Sequence, residues 1–222
     1  MKAKEKIKSY FQPPTLYRYR PLKNLEREVK AICEATLYCA PYNTMNDPME
    51  GFYTTSQRQR LNSTHAKIRA LIADGKSNLG ICSFSEVHNN EIMWAHYADE
   101  FRGICIAYRF KGLLSGTNEQ TEFVRINYRD KAPWLQSDNT EVAARIFLSC
   151  KSYRWNYERE WRMLSAPGLS SYKNAKCVRC VYLGSRIDEG HKATIKNLLG
   201  QVAIKTHSMS LDGYSMEFNQ YE

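Results

Sequence analysis

The sequence predicts an α+β fold, in which short strands pair in a mixed or antiparallel, split sheet flanked by helices. Three observations carry this. Short alternating, Tyr-rich runs recur along the chain, and half-polar strands suit antiparallel pairing with one solvated face. Between them lie stretches with apolar residues three and four apart, the helical period. No G-x-G-x-x-G or G-x-x-x-x-G-K-[ST] follows any strand, so a doubly wound nucleotide fold is not indicated.

The elements follow in order. Residues 1–14 form a basic helix or arm closed by Pro13 and Pro14. "TLYRYRPL" alternates and is aromatic, a strand signature. From Leu22 to Ala35 the apolar spacing is helical, and "TLYCAPY" is the second strand. After Gly51, "TTSQRQRLNSTHAKIRALIADGK" reads as one polar-faced helix ending at Gly75. "NLGICSFSE" is a strand, "NEIMWAHYADEF" a helix that stops before Gly103, and "RGICIAYRF" the most apolar strand of all. A connection leads to "EFVRINYRD", read as a single strand. "NTEVAARIFLSCKS" is a helix capped by Asn139 or Thr140, because a side-chain oxygen there meets orphan amides of the first turn. A strand then begins at Tyr157 or Glu158 in "NYEREWRML". "KCVRCVYLG" is another strand, "DEGHKATIKNLLG" a helix, and "VAIKTHSMSLDGYSMEF" a closing strand pair.

Composition bounds the function. With 222 residues, 43% of them hydrophobic and 12% aromatic, residues 15–222 are expected to form a single domain with a sizeable core. No apolar run approaches the roughly 18 residues of a membrane helix. "MKAKEKIKSYF" lacks the apolar centre of a secretory signal, so a cytoplasmic protein with no membrane partner is expected. Lys and Arg number 32 against 23 acids, a net charge of +9. That balance favours a phosphate-bearing small molecule or nucleic acid as partner, and Arg interleaved with Tyr and Trp in "KSYRWNYEREWR" suits stacking as well as phosphate contact. The seven cysteines are scattered. Cys177 and Cys180 make a C-x-x-C with no second ligand pair, and on one strand they would face opposite ways, so no metal is expected.

Three pairs stand out at strand spacing, where residues i and i+2 share a face. These are Arg18 and Arg20, Ser83 and Ser85, and Glu158 and Glu160. Two acids on one face repel unless a cation, ligand or solvent meets them. A further constellation is "YNTMNDPMEGF". Asn46 and Asp47 before Pro48 start a turn, since their side chains bond nearby amides and the residue before Pro avoids the α region. Asn46, Asp47 and Glu50 then wall a site, or Glu50 caps the next helix. On "MWAHY", Trp94, Tyr97 and Ala98 lie on one helical face, and His96 is placed to bond Asp47 or a ligand phosphate.

The motifs "LYRYRPL", "LYCAPYNTMNDPMEG", "CSFSE", "NEIMWAHYAD", "GICIAY" and "YEREWR" resemble domain of unknown function family 2971, marked by an N-D-P-[FM]-E turn, an M-W-x-H-Y helix and an E-x-E-W-R strand. More remotely, the order Arg, Ser-x-Ser, Glu-x-Glu resembles ADP-ribosyltransferases. That resemblance implies a split sheet of short strands and NAD as substrate. Glu160 would stabilise the oxocarbenium-like ribose as nicotinamide departs, with Glu158 assisting and Arg162 keeping the acid ionised. Arg18 would hold phosphate, Ser83 and Ser85 would shape the pocket, and Trp94 or Tyr97 would stack on a ring. A second class is a non-catalytic nucleic-acid or nucleotide-binding module using Arg18 and Arg154. A third, a metal-dependent nuclease, would enlist Asp47, Glu50, Glu158 and Glu160 around Mg²⁺.

Overall fold

A computed structural model describes residues 12–135 and 140–220 of the chain. It is α+β, with a mostly antiparallel sheet and flanking helices. Contacts gather into two compact units. One comprises Met1–Leu37, Phe84–Glu119 and Ser171–Glu222, the other Tyr38–Ser83 and Gln120–Ser170. The chain passes between them inside ordinary segments, so no linker marks the division in the sequence.

In the first unit, β1 (Thr15–Arg20), β4 (Ile104–Arg109), β10 (Val178–Leu183), β11 (Lys205–Asp212) and β12 (Ser215–Gln220) run in the order β12-β11-β10-β4-β1. All neighbours are antiparallel except β10 and β11. Strand β4 is buried from Ile104 to Tyr108, as an apolar run with neighbours on both edges must be. Tyr17, Tyr19, Cys105 and Ala107 share one sheet face by register, and Leu16, Arg18, Arg20 and Ile106 share the other. Helix α1 (Leu25–Cys33) begins at Asn24, whose side chain accepts from the Arg27 amide at 2.9 Å, and buries Val29 and Ile32. It packs against α7 (Glu189–Gln201), which buries Ile195 and Leu199. Helix α4 (Glu91–Tyr97) lies against β1.

In the second unit, β2 (Thr36–Pro41), β3 (Gly80–Ser85), β8 (Glu160–Ser165) and β5 (Glu122–Arg125) pair in that order. Helices α3 (His65–Ser77) and α6 (Thr140–Phe147) pack together. Between them Ile72, Leu135, Ala143 and Phe147 form a core, and the Tyr53 ring stacks on Phe147 at 4.3 Å. A second core joins Ile81, Leu148 and Leu164.

Several expected boundaries move. The helix after Gly51 is two, α2 (Gln57–Arg60) and α3, because Asn62 accepts from the Thr64 amide and hydroxyl and so turns the chain. "EFVRINYRD" breaks at Ile126, whose amide bonds the Glu160 carbonyl while Asn127 turns to Ser149. Thus β5 pairs with β8, and β6 (Asn127–Arg129) pairs parallel with β7 (Cys150–Ser152). The helix over 139–152 stops at Phe147, and Asn139 lies outside the described residues. The connection after β4 contains α5 (Phe110–Gly116), and β9 (Gly168–Ser171) was not expected. Cys177 ends a 3₁₀ turn instead of sharing β10 with Cys180. The basic arm falls outside the described residues up to 11. No helix among the described residues is long and apolar enough to cross a membrane.

Candidate functional site

The site in the second unit is built from the turn that Asn46 and Asp47 begin. Asn46 is exposed and Asp47 buried. The Asp47 carboxylate accepts from the Met49 amide at 2.9 Å, and its carbonyl accepts from Glu50. Gly51 then takes φ +66°, and a β-carbon there would press on the Leu148 and Lys76 side chains, so a side chain there would be strained. Met49 and Phe52 consequently point outward, 57% and 63% exposed, while the Glu50 carboxylate turns inward. Glu50 caps no helix. It bonds Arg162 through both oxygens, at 2.6 and 2.8 Å, and the next helix is capped by Ser56 and Gln59 instead. Lys76 secures the turn from the other side, its ammonium 3.3 Å from the Gly51 carbonyl and over the Tyr42 and Tyr53 rings.

Arg162 is wholly buried, yet every one of its five N–H donors has an acceptor. Nε meets Glu160 Oε1 at 2.8 Å, and Nη2 is shared by Glu160 Oε2 at 3.1 Å and Glu50 Oε2. Nη1 is shared by Glu50 Oε1 and the Leu148 carbonyl at 2.6 Å. Glu160 and Arg162 meet because i and i+2 of β8 share a face. Lys151 closes the far end, 2.6 Å from Glu158 and 3.3 Å from Glu160, with its ammonium 4.7 Å from the Trp155 ring centre.

Burial alone would raise the Glu160 pKa, but Arg162 and then Lys151 override it and hold the carboxyl at about 2. Burial would likewise lower Lys151, and its two glutamates push it above the usual ammonium range instead. The Ser83 hydroxyl of β3 stands beside Glu160 and adds a smaller lowering, yet it is buried without a well-aligned hydrogen bond. The first residue of β8 is fixed by its backbone as well, since the Glu160 amide donates to the Tyr128 hydroxyl at 2.7 Å.

The expectation that Glu158 and Glu160 share a strand face is corrected. Glu158 ends a 3₁₀ helix, Tyr153–Glu158, and Arg159 takes a left-handed φ of 46° before β8 begins. Their mutual repulsion is resolved by one ammonium between them rather than by strand geometry. The metal arrangement is also altered. Glu50 and Glu160 spend both oxygens on Arg162 and Lys151, Glu158 spends one on Lys151 and Asp47 one on its own turn, and no metal-binding group of His, Cys, Asp or Glu occurs among the described residues.

Arg18, Ser85, Trp94, His96 and Tyr97 belong to the first unit. Ser85 pairs opposite Tyr17, and its hydroxyl accepts from the Val87 amide. Trp94 is a core residue rather than a free stacking ring. It is fully buried, its N–H donates to the His88 carbonyl, and Tyr19, Phe101 and Phe218 surround it. Tyr97 is half-buried and tilted against the exposed His96. Arg18 sits on the opposite sheet face from Tyr19, with Arg20, and its charge acts on Glu28 of α1. Within this unit, therefore, Arg18 does not share a pocket with Trp94.

Residues 93–163 match the model of a family described as a protein of unknown function, DUF2971. The matched segment opens at Met93 of "MWAHY" and takes in Tyr128, Lys151, Glu158, Glu160 and Arg162. The turn carrying Glu50 and the strand carrying Ser83 precede it. No curated protein and no solved structure matches the chain. Lys151, Trp155 and Tyr128 were not singled out from sequence. Lys151 and Trp155 fall in the run "KSYRWNYEREWR", which suits stacking as well as phosphate contact, whereas Tyr128 lies outside it.

Proposed function

We propose that the chain binds a nucleotide of the NAD type and cleaves the bond between nicotinamide and ribose, passing ADP-ribose to water, protein or nucleic acid. One observation supports this above others: a carboxylate held ionised by Arg162 and Lys151, Glu160, and a buried hydroxyl without a well-aligned hydrogen bond, Ser83, meet from neighbouring strands. As nicotinamide leaves, positive charge grows on the ribose. A carboxylate already ionised and oriented by Arg162 and Lys151 would meet that charge without turning its own side chain. Arg162 fills two of the carboxylate's roughly four lone-pair positions and Lys151 a third, and the Ser83 hydroxyl stands beside the fourth, where a ribose hydroxyl would take its place. Glu160 is 3% exposed, so a ligand reaches it only when the packing around β8 opens. Incubation with NAD should release nicotinamide, and Glu160→Gln should slow release by about 10²–10³-fold while circular dichroism stays unchanged. Wild-type protein that releases none, or a Gln variant as fast as wild type, defeats the reading.

A second reading is favoured by the same cluster taken as purely structural, since both Glu160 oxygens are held by cations. The chain would then bind nucleotide or nucleic acid without catalysis, through its net +9. It predicts salt-dependent binding of RNA or DNA with no nicotinamide release, and a shallower salt slope after Arg154→Ala. Absence of binding at low salt removes it.

A further inference from the structure

In the second unit, residues 127–134 bound an open cavity of about 530 Å³, lined in part by Tyr128, Arg129, Asp130, Lys131 and Trp134. That volume lies within the roughly 300–1,000 Å³ of small-molecule sites. Its chemistry is mixed in a particular way: two cations against one acid, and an indole 55% exposed. A large aromatic left so open is usually mobile, but here the backbone beneath it is pinned on both sides. The Thr54 amide bonds the Pro133 carbonyl at 2.8 Å, and the Leu135 amide bonds the Thr54 carbonyl at 2.9 Å. Tyr128 is held through its hydroxyl by the Glu160 amide, and Arg129 lies in β6, in register with Ser152 of β7. A backbone fixed in this way lowers the entropy the segment loses when a ligand arrives.

We propose that this cavity binds a nucleoside monophosphate, with the base lying on Trp134 and the phosphate between Arg129 and Lys131. An indole face alone would accept any flat apolar ring, and two cations alone any anion. Both within a span of six residues suit a flat ring carrying a phosphate. The proposal does not rest on glycosidic cleavage. The Glu160 carboxylate is not among the groups lining the cavity, so binding of AMP stands or falls separately from nicotinamide release.

The test is calorimetric titration of the full chain with AMP, with adenosine and with inorganic phosphate. AMP should bind more tightly than either fragment. Trp134→Ala should weaken AMP by about tenfold, as loss of one stacked base does, while Trp134→Phe stays within about threefold. Lys131→Met should weaken AMP and flatten its salt dependence, leaving adenosine unaffected. Both side chains are exposed or half-exposed, so far-ultraviolet circular dichroism should not change. Equal AMP affinity in wild type, Trp134→Ala and Lys131→Met overturns the proposal. So does no heat of binding at about 1 mM AMP in low salt.

Discussion

Two glutamate–arginine clusters in this molecule solve the same electrostatic problem at different depths. In the first unit Glu28 accepts from Arg20 Nε and Nη2 at 2.7 Å and twice from Arg27, but Arg20 keeps 26% of its side chain in solvent and Arg27 63%. In the second unit Arg162, Glu160, Glu50, Glu158 and Lys151 are all within 4% of full burial. Partial exposure makes the first cluster forgiving, because water replaces a lost partner. Full burial makes the second a geometric lock, because nothing replaces one. The lock ties the Asp47 turn, β7 and β8 together, and it is where the proposed chemistry sits.

The largest effect is therefore expected at Arg162. Lys at this position offers three donors in place of five, without the planar fork, and leaves a Glu50 or Glu160 oxygen buried without a partner. Arg162→Lys should cost about 3–5 kcal/mol in urea unfolding, the range for breaking a buried pair. A loss under about 1 kcal/mol would mean that water enters the cluster.

The pH dependence sharpens the same contrast. The Glu160 pKa is depressed in the folded chain, from 4.5 to about 2. Its contribution is thus complete above pH 4.5 and fades as pH falls towards 2. By linkage this is about 3 kcal/mol, so wild type should lose stability relative to Glu160→Gln across that window. Parallel stability curves for the two proteins from pH 5 to 2 would show that Glu160 is not held as described.

How much of this was legible in the sequence depends on the range of the interaction. Strand β4 was legible because a central strand must be apolar throughout, and the Asp47-Pro48 turn because its hydrogen bonds are local. The partner of Glu50 was not, since Arg162 lies 112 residues away. The position of Glu158 was misjudged because alternation in "YEREWR" is the same string whether its first residues are extended or wound. Only the left-handed Arg159 separates the two cases. Trp94 was read as a ligand ring because helical spacing reports which face is apolar, not whether a core or a ligand covers it. Tyr128 had no signal at all, as its role arises from the break at Ile126, which breaks no periodic pattern.

In the first unit Glu28→Gln should cost about 1–2 kcal/mol, because Arg20 keeps part of its side chain in water and the amide oxygen retains some of the hydrogen bonding. The smallest effect is expected at Arg27. Its guanidinium reaches the same Glu28 oxygen that Arg20 already holds, and most of it is in water. Arg27→Ala removes a redundant partner and also a charge of the wrong sign for the first turn of α1, where the helix dipole favours acids. The two changes oppose one another, so unfolding free energy should shift by less than about 0.5 kcal/mol. If Arg27→Ala instead cost as much as Glu28→Gln, the Arg20 pair would not be self-sufficient. The exposed cluster would then be a three-membered lock of the kind assigned here only to the buried one.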